Sequence, residues 1–113
     1  MLAASNRLAK RRDIEAVHKH GRSFFVGNLG IRLARNSLTL SRFTIITSLK
    51  ISKRSTERNT LKRRLREIIR KDILPQTKPG FDGIILTKKP LLELGFGELR
   101  TLAVSLFKKA RLI

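Results

Sequence analysis

Between residues 53 and 75 the chain interleaves cations with leucine and isoleucine in a way that only a helix reconciles. Leu61, Leu65, Ile68 or Ile69, and Ile73 recur every few residues, so a helix gathers them into one apolar stripe. The same winding sets Arg58, Lys62 and Arg66 in one line, with Asn59, Arg63 and Arg70 beside it. A strand would scatter these residues over both of its faces. The segment therefore predicts a helix seated on a core by one side and cationic on the other. Ser55 or Thr56 is placed to cap it, Glu57 complements the dipole in its first turn, and Pro75 stops it. Lys53 and Arg54 stand just before its N-terminus, where cations oppose the macrodipole unless an anion sits there too.

A solvated helix face normally mixes signs to gain pairs one turn apart. Here only Glu57 and Glu67 offset the cations of residues 58–71. The whole chain has the same imbalance: 26 Lys+Arg against 8 Asp+Glu in 113 residues, a formal charge of +18. Self-repulsion on that scale opposes folding, which points to a lasting polyanionic partner, with nucleic acid first among them. A hydrophobic content of 41% supports a packed core and excludes a disordered basic tail. The length suits one domain over residues 1–113. There is no cysteine, hence no disulfide framework and no thiolate metal site. No apolar run approaches the roughly 20 residues that span a bilayer, and the first residues lack the apolar stretch of a secretory signal, so a cytoplasmic location is expected.

Residues 10–20 read as a short helix carrying Ile14 and Val17, with Gly21 at the position of a left-handed C-cap. Over residues 23–35 the period changes. Leu29, Ile31 and Leu33 alternate with Gly30, Arg32 and Ala34, a strand with one buried face. Asn36-Ser37 is a turn, and the β-branched run from Phe43 to Thr47 is another strand. Ile84-Ile85-Leu86, between the turn at Lys78-Pro79-Gly80 and Pro90, is a buried strand. Leu99, Leu102, Ala103, Leu106, Phe107 and Ala110 mark a final amphipathic helix over 98–111. The expected class is α+β: a small mixed sheet of about four strands with three helices, in the order α-β-β-β-α-β-α. The strand–helix–strand unit over 43–87 reads as a crossover joining parallel strands.

If Leu29, Ile31 and Leu33 face the core, Gly30, Arg32 and Ala34 line the opposite face, a shallow trough suited to a single strand of nucleic acid. Phe24 and Phe25 point to opposite faces, so one packs and the other offers a stacking surface; two core phenylalanines are the plainer alternative. His18 and His20, two apart, do not share a helix face, and no metal site is expected. The sequence shows no paired carboxylates, no Ser-His-Asp set and no glycine-rich phosphate loop, hence no catalytic residues of its own.

The run Arg58-Asn59-x-x-Lys62-Arg63-x-x-Arg66-Glu67 resembles the signature of the bacterial ribonuclease P protein subunit. The likeness extends to Leu8-x-x-Arg11-Arg12-Asp13-Ile14-x-x-Val17, to Gly21-Arg22-Ser23-Phe24, to Phe81-Asp82-x-Ile84-Ile85-Leu86-Thr87-Lys88 and to Glu98-Leu99. The resemblance implies an α+β fold with a left-handed βαβ crossover, against the usual right-handed rule. It implies a subunit of an endoribonuclease that removes the 5′ leader of precursor tRNA, with catalysis and Mg²⁺ residing in an RNA subunit, and neither a membrane nor a stable protein partner. Arg58, Asn59, Lys62, Arg63, Arg66 and Arg70 would then bind the catalytic RNA, with phosphate contacts from Lys50, Lys53 and Arg54. Ile14, Val17, His18, Phe24, Phe25 and Arg32 would line the leader cleft. Three features depart from the family pattern: Thr60 follows Arg58-Asn59 where arginine is frequent, Leu49 replaces the first of a lysine pair, and Ile14, His18 and Arg32 stand where aromatics often line the cleft.

Two other classes compete on the residues alone. A non-enzymatic RNA-binding protein of ribosomal or chaperone type would share the charge but not the motif frame across the whole chain. A DNA-binding regulator would need a helix shortly before the basic one, and a strand stands there instead.

Overall fold

The computed structural model describes residues 4–47 and 51–113. Helix α1 (Arg11–His20) leads into a hairpin of β1 (Arg22–Val26) and β2 (Leu29–Arg35). Then follow β3 (Arg42–Ile46), α2 (Ser55–Ile68), β4 (Phe81–Thr87) and α3 (Phe96–Lys109). The sheet order is β1-β2-β4-β3, with β3 and β4 parallel and the other pairs antiparallel. The α+β class and the element order are those expected. The stretch over 23–35 is folded into two strands, because Gly27 takes φ +58° and closes a two-residue turn with Asn28.

One face of the sheet carries the main core. Leu29, Ile31 and Leu33 of β2, Phe43 and Ile45 of β3 and Ile85 of β4 pack against Leu61, Leu65 and Ile68 of α2 and Leu99, Ala103, Leu106 and Phe107 of α3. Phe43 and Phe107 meet edge to face, their ring centroids 5.4 Å apart. The alternative between Ile68 and Ile69 resolves into both, since each is buried. After Ile68 the helix widens into a single π turn, Ile69–Ile73, before a 3₁₀ turn at Leu74–Gln76 containing Pro75. In a strict α-helix Ile73 would swing toward the cationic side; the wider turn returns it to the core.

The helix ends correct three expectations. Gly21 is extended, at φ −78° and ψ 166°, and is no left-handed cap. It is glycine for lack of room: a Cβ there would lie 2.5 Å from the Val17 carbonyl oxygen. Neither Ser55 nor Thr56 caps α2, whose N-cap residue is Arg54. No side chain caps its first turn; Ser52 instead holds the N-cap residue, its Oγ accepting from the Arg54 N–H at 3.1 Å and donating to Glu57 at 2.9 Å. α3 begins and ends two residues earlier than expected, with Glu98 Oε1 accepting from the Gly95 N–H at 3.4 Å.

The second face of the sheet is covered only in part, by α1 and the residues before it. Leu8 and Val17 pack on Ile84, with Ile14, Ala34 and Leu86 at the margin. Leu8 is tied to the free edge of β3 by its N–H, which donates to the Phe43 carbonyl at 3.0 Å. Two guanidiniums fasten α1. Arg42 grips Asp82 with two bonds (Nε–Oδ1 2.9 Å, Nη2–Oδ2 2.7 Å) and reaches Asp13 of α1 at 3.3 Å. Asn36 completes the Asp82 shell at 2.8 Å, while its own Oδ1 accepts from the Leu38 N–H and shapes the turn. The Arg42 pKa is raised, first by the hydrogen bond to Asp82.

Arg42→Ala leaves the buried Asp82 carboxylate with Asn36 alone. Removing one member of such a pair costs about 3 kcal/mol, and urea denaturation of the variant is expected to show a loss of that order. Gly21→Ala, which forces a methyl against backbone, should cost about 1–3 kcal/mol in the same measurement.

Candidate nucleic-acid interface

Because α1 is short and crosses one end of the sheet, part of the second face meets solvent. Strand register defines that part. Phe25 of β1 pairs with Gly30 of β2, Gly30 with Leu86 of β4, and Leu86 with Ile46 of β3. These residues form a row across all four strands, on the same face as α1. Phe25 and Ile46 are 42% and 37% exposed, high for large apolar side chains in a sheet. The Phe25 ring lies over Gly30, where a Cβ would come within 2.4 Å of the ring. Lys88 Nζ stands 5.3 Å from the ring centroid, and Lys109 Nζ donates to the Phe25 carbonyl at 2.8 Å. A flat aromatic face beside cations, flanked by aliphatic side chains, is the surface on which an unpaired base stacks.

The six residues expected in the cleft divide. Phe25 is open to solvent on the trough side, and Ile14 and His18 lie on α1 beside it, Ile14 half-buried and His18 exposed. Phe24 points the other way and packs against the main core. Val17 is buried under α1, out of a ligand's reach; its contribution is to seat the helix. Arg32 is already engaged. Its Nε and Nη2 donate to the His18 carbonyl at 2.9 and 2.7 Å, and its Nη1 to Ser23 Oγ at 3.0 Å. A guanidinium fork on a carbonyl near the end of a helix satisfies an otherwise orphaned acceptor and meets the negative end of the dipole. Arg32 thus binds α1 to the sheet and sets one wall of the trough. The face expected to be open at Gly30, Arg32 and Ala34 is covered by Phe25 at one end and α1 at the other.

The sequence pattern assigns Lys88, Leu86 and Ile46 no place in the trough. Lys88 is one cation among 26, and only the pairing of four strands places it over Phe25.

The cationic helix has the orientation its pattern predicts. Leu61, Leu65 and Ile68 are buried, Asn59, Arg63, Arg66 and Arg70 are exposed, and Lys62 lies at the boundary. Arg58, also at the boundary, donates from Nη1 to the Ser52 carbonyl at 2.7 Å and so holds the segment before the helix. Lys53 and Arg54 are exposed, with Arg54 at 4.0 Å from Glu57. Lys50 and Leu49 lie outside the described residues. Arg70 is paired with Glu67 through two hydrogen bonds, and Arg70's hydrogen bonding is the largest cause drawing the Glu67 carboxyl down to about 2. Thr60 bonds back to the Thr56 carbonyl at 2.8 Å and lies half-exposed on the helix.

The two surfaces adjoin. A cavity of about 300 Å³ is lined by Arg66 of α2, Thr44 and Ile45 of β3, and Ile14 of α1. The end of the cationic line and the edge of the trough thus share one concavity. Among the described residues no three His, Asp or Glu side chains come together as a metal site.

The ribonuclease P family profile matches residues 2–111. The chain is 34% identical over 112 residues to the ribonuclease P protein component of a Cyanothece species, covering 85% of each. It is 32% identical to that of Microcystis aeruginosa, covering 96% of this chain and 92% of the other. Among solved structures, the ribonuclease P protein from Thermotoga maritima superposes with a TM-score of 0.82 at 31% identity, covering 91% of this chain and 96% of that one. The Staphylococcus aureus protein superposes at 0.84 with 20% identity, a likeness that bears on the fold alone.

Arg70→Ala should return the Glu67 carboxyl toward the ordinary glutamate value of about 4.3, readable as a carbon-detected NMR titration; the parent protein should titrate there near 2.

Proposed function

This chain belongs to the ribonuclease P protein family, whose members partner the ribonuclease P RNA, and from that premise we propose that α2 binds that RNA while the trough beside α1 receives the 5′ leader of precursor tRNA. The observation that carries the reading is the adjacency of the two surfaces at Arg66 and Ile14. A protein with both could hold the catalytic RNA and its substrate at once.

In this proposal Arg63, Arg66, Asn59 and Lys62 contact phosphate and sugar along the outer line of α2, with Lys53 and Arg54 before its N-terminus and Lys50 as a further phosphate contact. Guanidinium forks suit phosphate oxygens, and such contacts fix position without reading sequence. Arg58 plays two parts, orienting the segment at Ser52 and presenting charge. Arg70 enters the interface by exchanging Glu67 for a phosphate. The leader lies along the row Phe25, Leu86, Ile46, with a base over Phe25 and its phosphates near Lys88 and His18. Ile14 forms the wall on α1. Val17, Phe24 and Arg32 support the trough from behind or from its side.

The described carboxylates do not form a metal site, and most are engaged with arginines. The proposal leaves the Mg²⁺ and the cleaving chemistry to the RNA subunit. The protein contributes binding: it lowers the repulsion between two polyanions and holds the leader extended, in the cytoplasm. A free-standing ribosomal or chaperone protein is not favoured, because the family match spans nearly the whole chain.

Reconstitution tests the reading. With a ribonuclease P RNA and a leader-bearing precursor at low Mg²⁺, adding the protein should restore cleavage at the mature 5′ end; no stimulation over RNA alone would sink it. Arg63→Ala should lower the slope of log K against log salt for RNA binding by about 0.7–0.9, one phosphate contact. Phe25→Ala should weaken leader-bearing precursor by about 1–3 kcal/mol, one stacked base, and leave leaderless tRNA unchanged; equal effects on both would remove Phe25 from the trough.

A further inference from the structure

A second cationic site lies away from both surfaces, where the start of β1, the end of β2 and the end of α3 meet. A cavity of about 560 Å³ is lined by Arg22, Arg35, Arg111, His20, Phe24 and Phe81 among others, and no carboxylate is among its lining residues. Asp13, Glu15, Glu57, Glu67, Asp72 and Asp82 all face partners elsewhere. Arg35 rests on Phe81 with its guanidinium carbon 5.5 Å from the ring centroid, which orients it without neutralising it. Three guanidiniums thus line one cavity with no carboxylate in its wall, an arrangement that favours an anion there.

Arg111 supplies a second, independent observation. It is the sole non-glycine among the described residues with positive φ, at 61°. It follows the C-cap of α3, where the Leu112 N–H donates to the Phe107 carbonyl and the Arg111 N–H to the Lys108 carbonyl, each at 3.0 Å. Both bonds come from backbone, so glycine would close the helix equally well and without steric cost. A left-handed conformation costs a side-chain-bearing residue roughly 1–2 kcal/mol. The arginine that takes this conformation stands on the wall of the cationic cavity.

We propose that this cavity takes a phosphodiester of an RNA strand, held by Arg22, Arg35 and Arg111, with Phe24 and Phe81 as the apolar wall beside the sugar. The proposal rests on the ribonuclease P reading for the identity of the RNA, which comes either from the ribonuclease P RNA or from the precursor tRNA. The site lies outside the α2 line and outside the trough.

The test sets stability against binding. Arg111→Gly should raise the urea midpoint, since it relieves the backbone. With Arg22→Ala it should also lower the salt slope of binding by about 0.7–0.9, the one phosphate held there. Two titrations separate the sources: protein with ribonuclease P RNA alone, and precursor tRNA with the assembled holoenzyme. A lower slope in the first assigns the phosphate to the catalytic RNA; a lower slope only in the second assigns it to the precursor. Arg63→Ala runs beside them. If it loses slope while the Arg22/Arg111 double variant matches the parent in both titrations, the second site is refuted and the ribonuclease P reading stands. If the parent protein binds neither RNA, both fall.

Discussion

Asp82 sits inside the sheet with Arg42 on its neighbouring strand, and Asp13 of α1 closes on the same guanidinium. Everything distinctive about the second face depends on this contact and on its counterpart, Arg32 on the His18 carbonyl. A four-stranded sheet has two faces to cover. α2 and α3 cover one with a continuous apolar core. The other is covered only in part, by Leu8 and a ten-residue helix whose single buried side chain is Val17, and hydrophobic burial of that size holds a helix weakly. Charge-assisted hydrogen bonds at two points supply the rest. They also fix where α1 lies on the sheet, and hence how much of the sheet remains open.

The open part is useful because of what it lacks. Gly30 has no side chain, so the Phe25 ring can sit against the backbone there and still meet solvent. The aromatics often found on the first helix and first long strand in the resembled family are Ile14, His18 and Arg32 in this chain. The exposed ring is provided instead by β1, one strand away. Stacking is sequence-tolerant because every base has a π-face, so in the proposed leader contact a ring on β1 could take the place of one on α1.

Charge is distributed by a similar logic. Most carboxylates are committed to internal pairs, at Arg42, Arg100, Arg70 and Arg11. The cations left over include the outer line of α2 and the β1–α3 corner. Such a surface stays soluble by self-repulsion and relaxes when a polyanion arrives.

The α2 pattern was legible because a helix repeats locally. Leu61, Leu65 and Ile68 specify their own face, and the cations between them follow. The alternation in β2 likewise fixed which residues are buried, and the motif frame from Arg58 to Glu67 carried the family. The helix caps at Gly21, Ser55 and Thr56 were misread because each was judged by residue type, while the outcome turned on a carbonyl at Val17 and a hydroxyl at Ser52. By chain position alone Asp13 is an early-helix acid and Asp82 a turn residue or a strand-end contact. Their shared partner is 29 and 40 residues away, and no local pattern encodes that distance. The same holds for Arg32, read as a solvent-facing cation and found on a helix end, and for Lys88 over Phe25. By itself the sequence determined the elements, their buried faces and the sign of the partner's charge, since these depend on neighbours within a turn or a strand. Only the tertiary structure decided which cations are engaged and which are open, because pairing joins strands and helices that the chain keeps far apart.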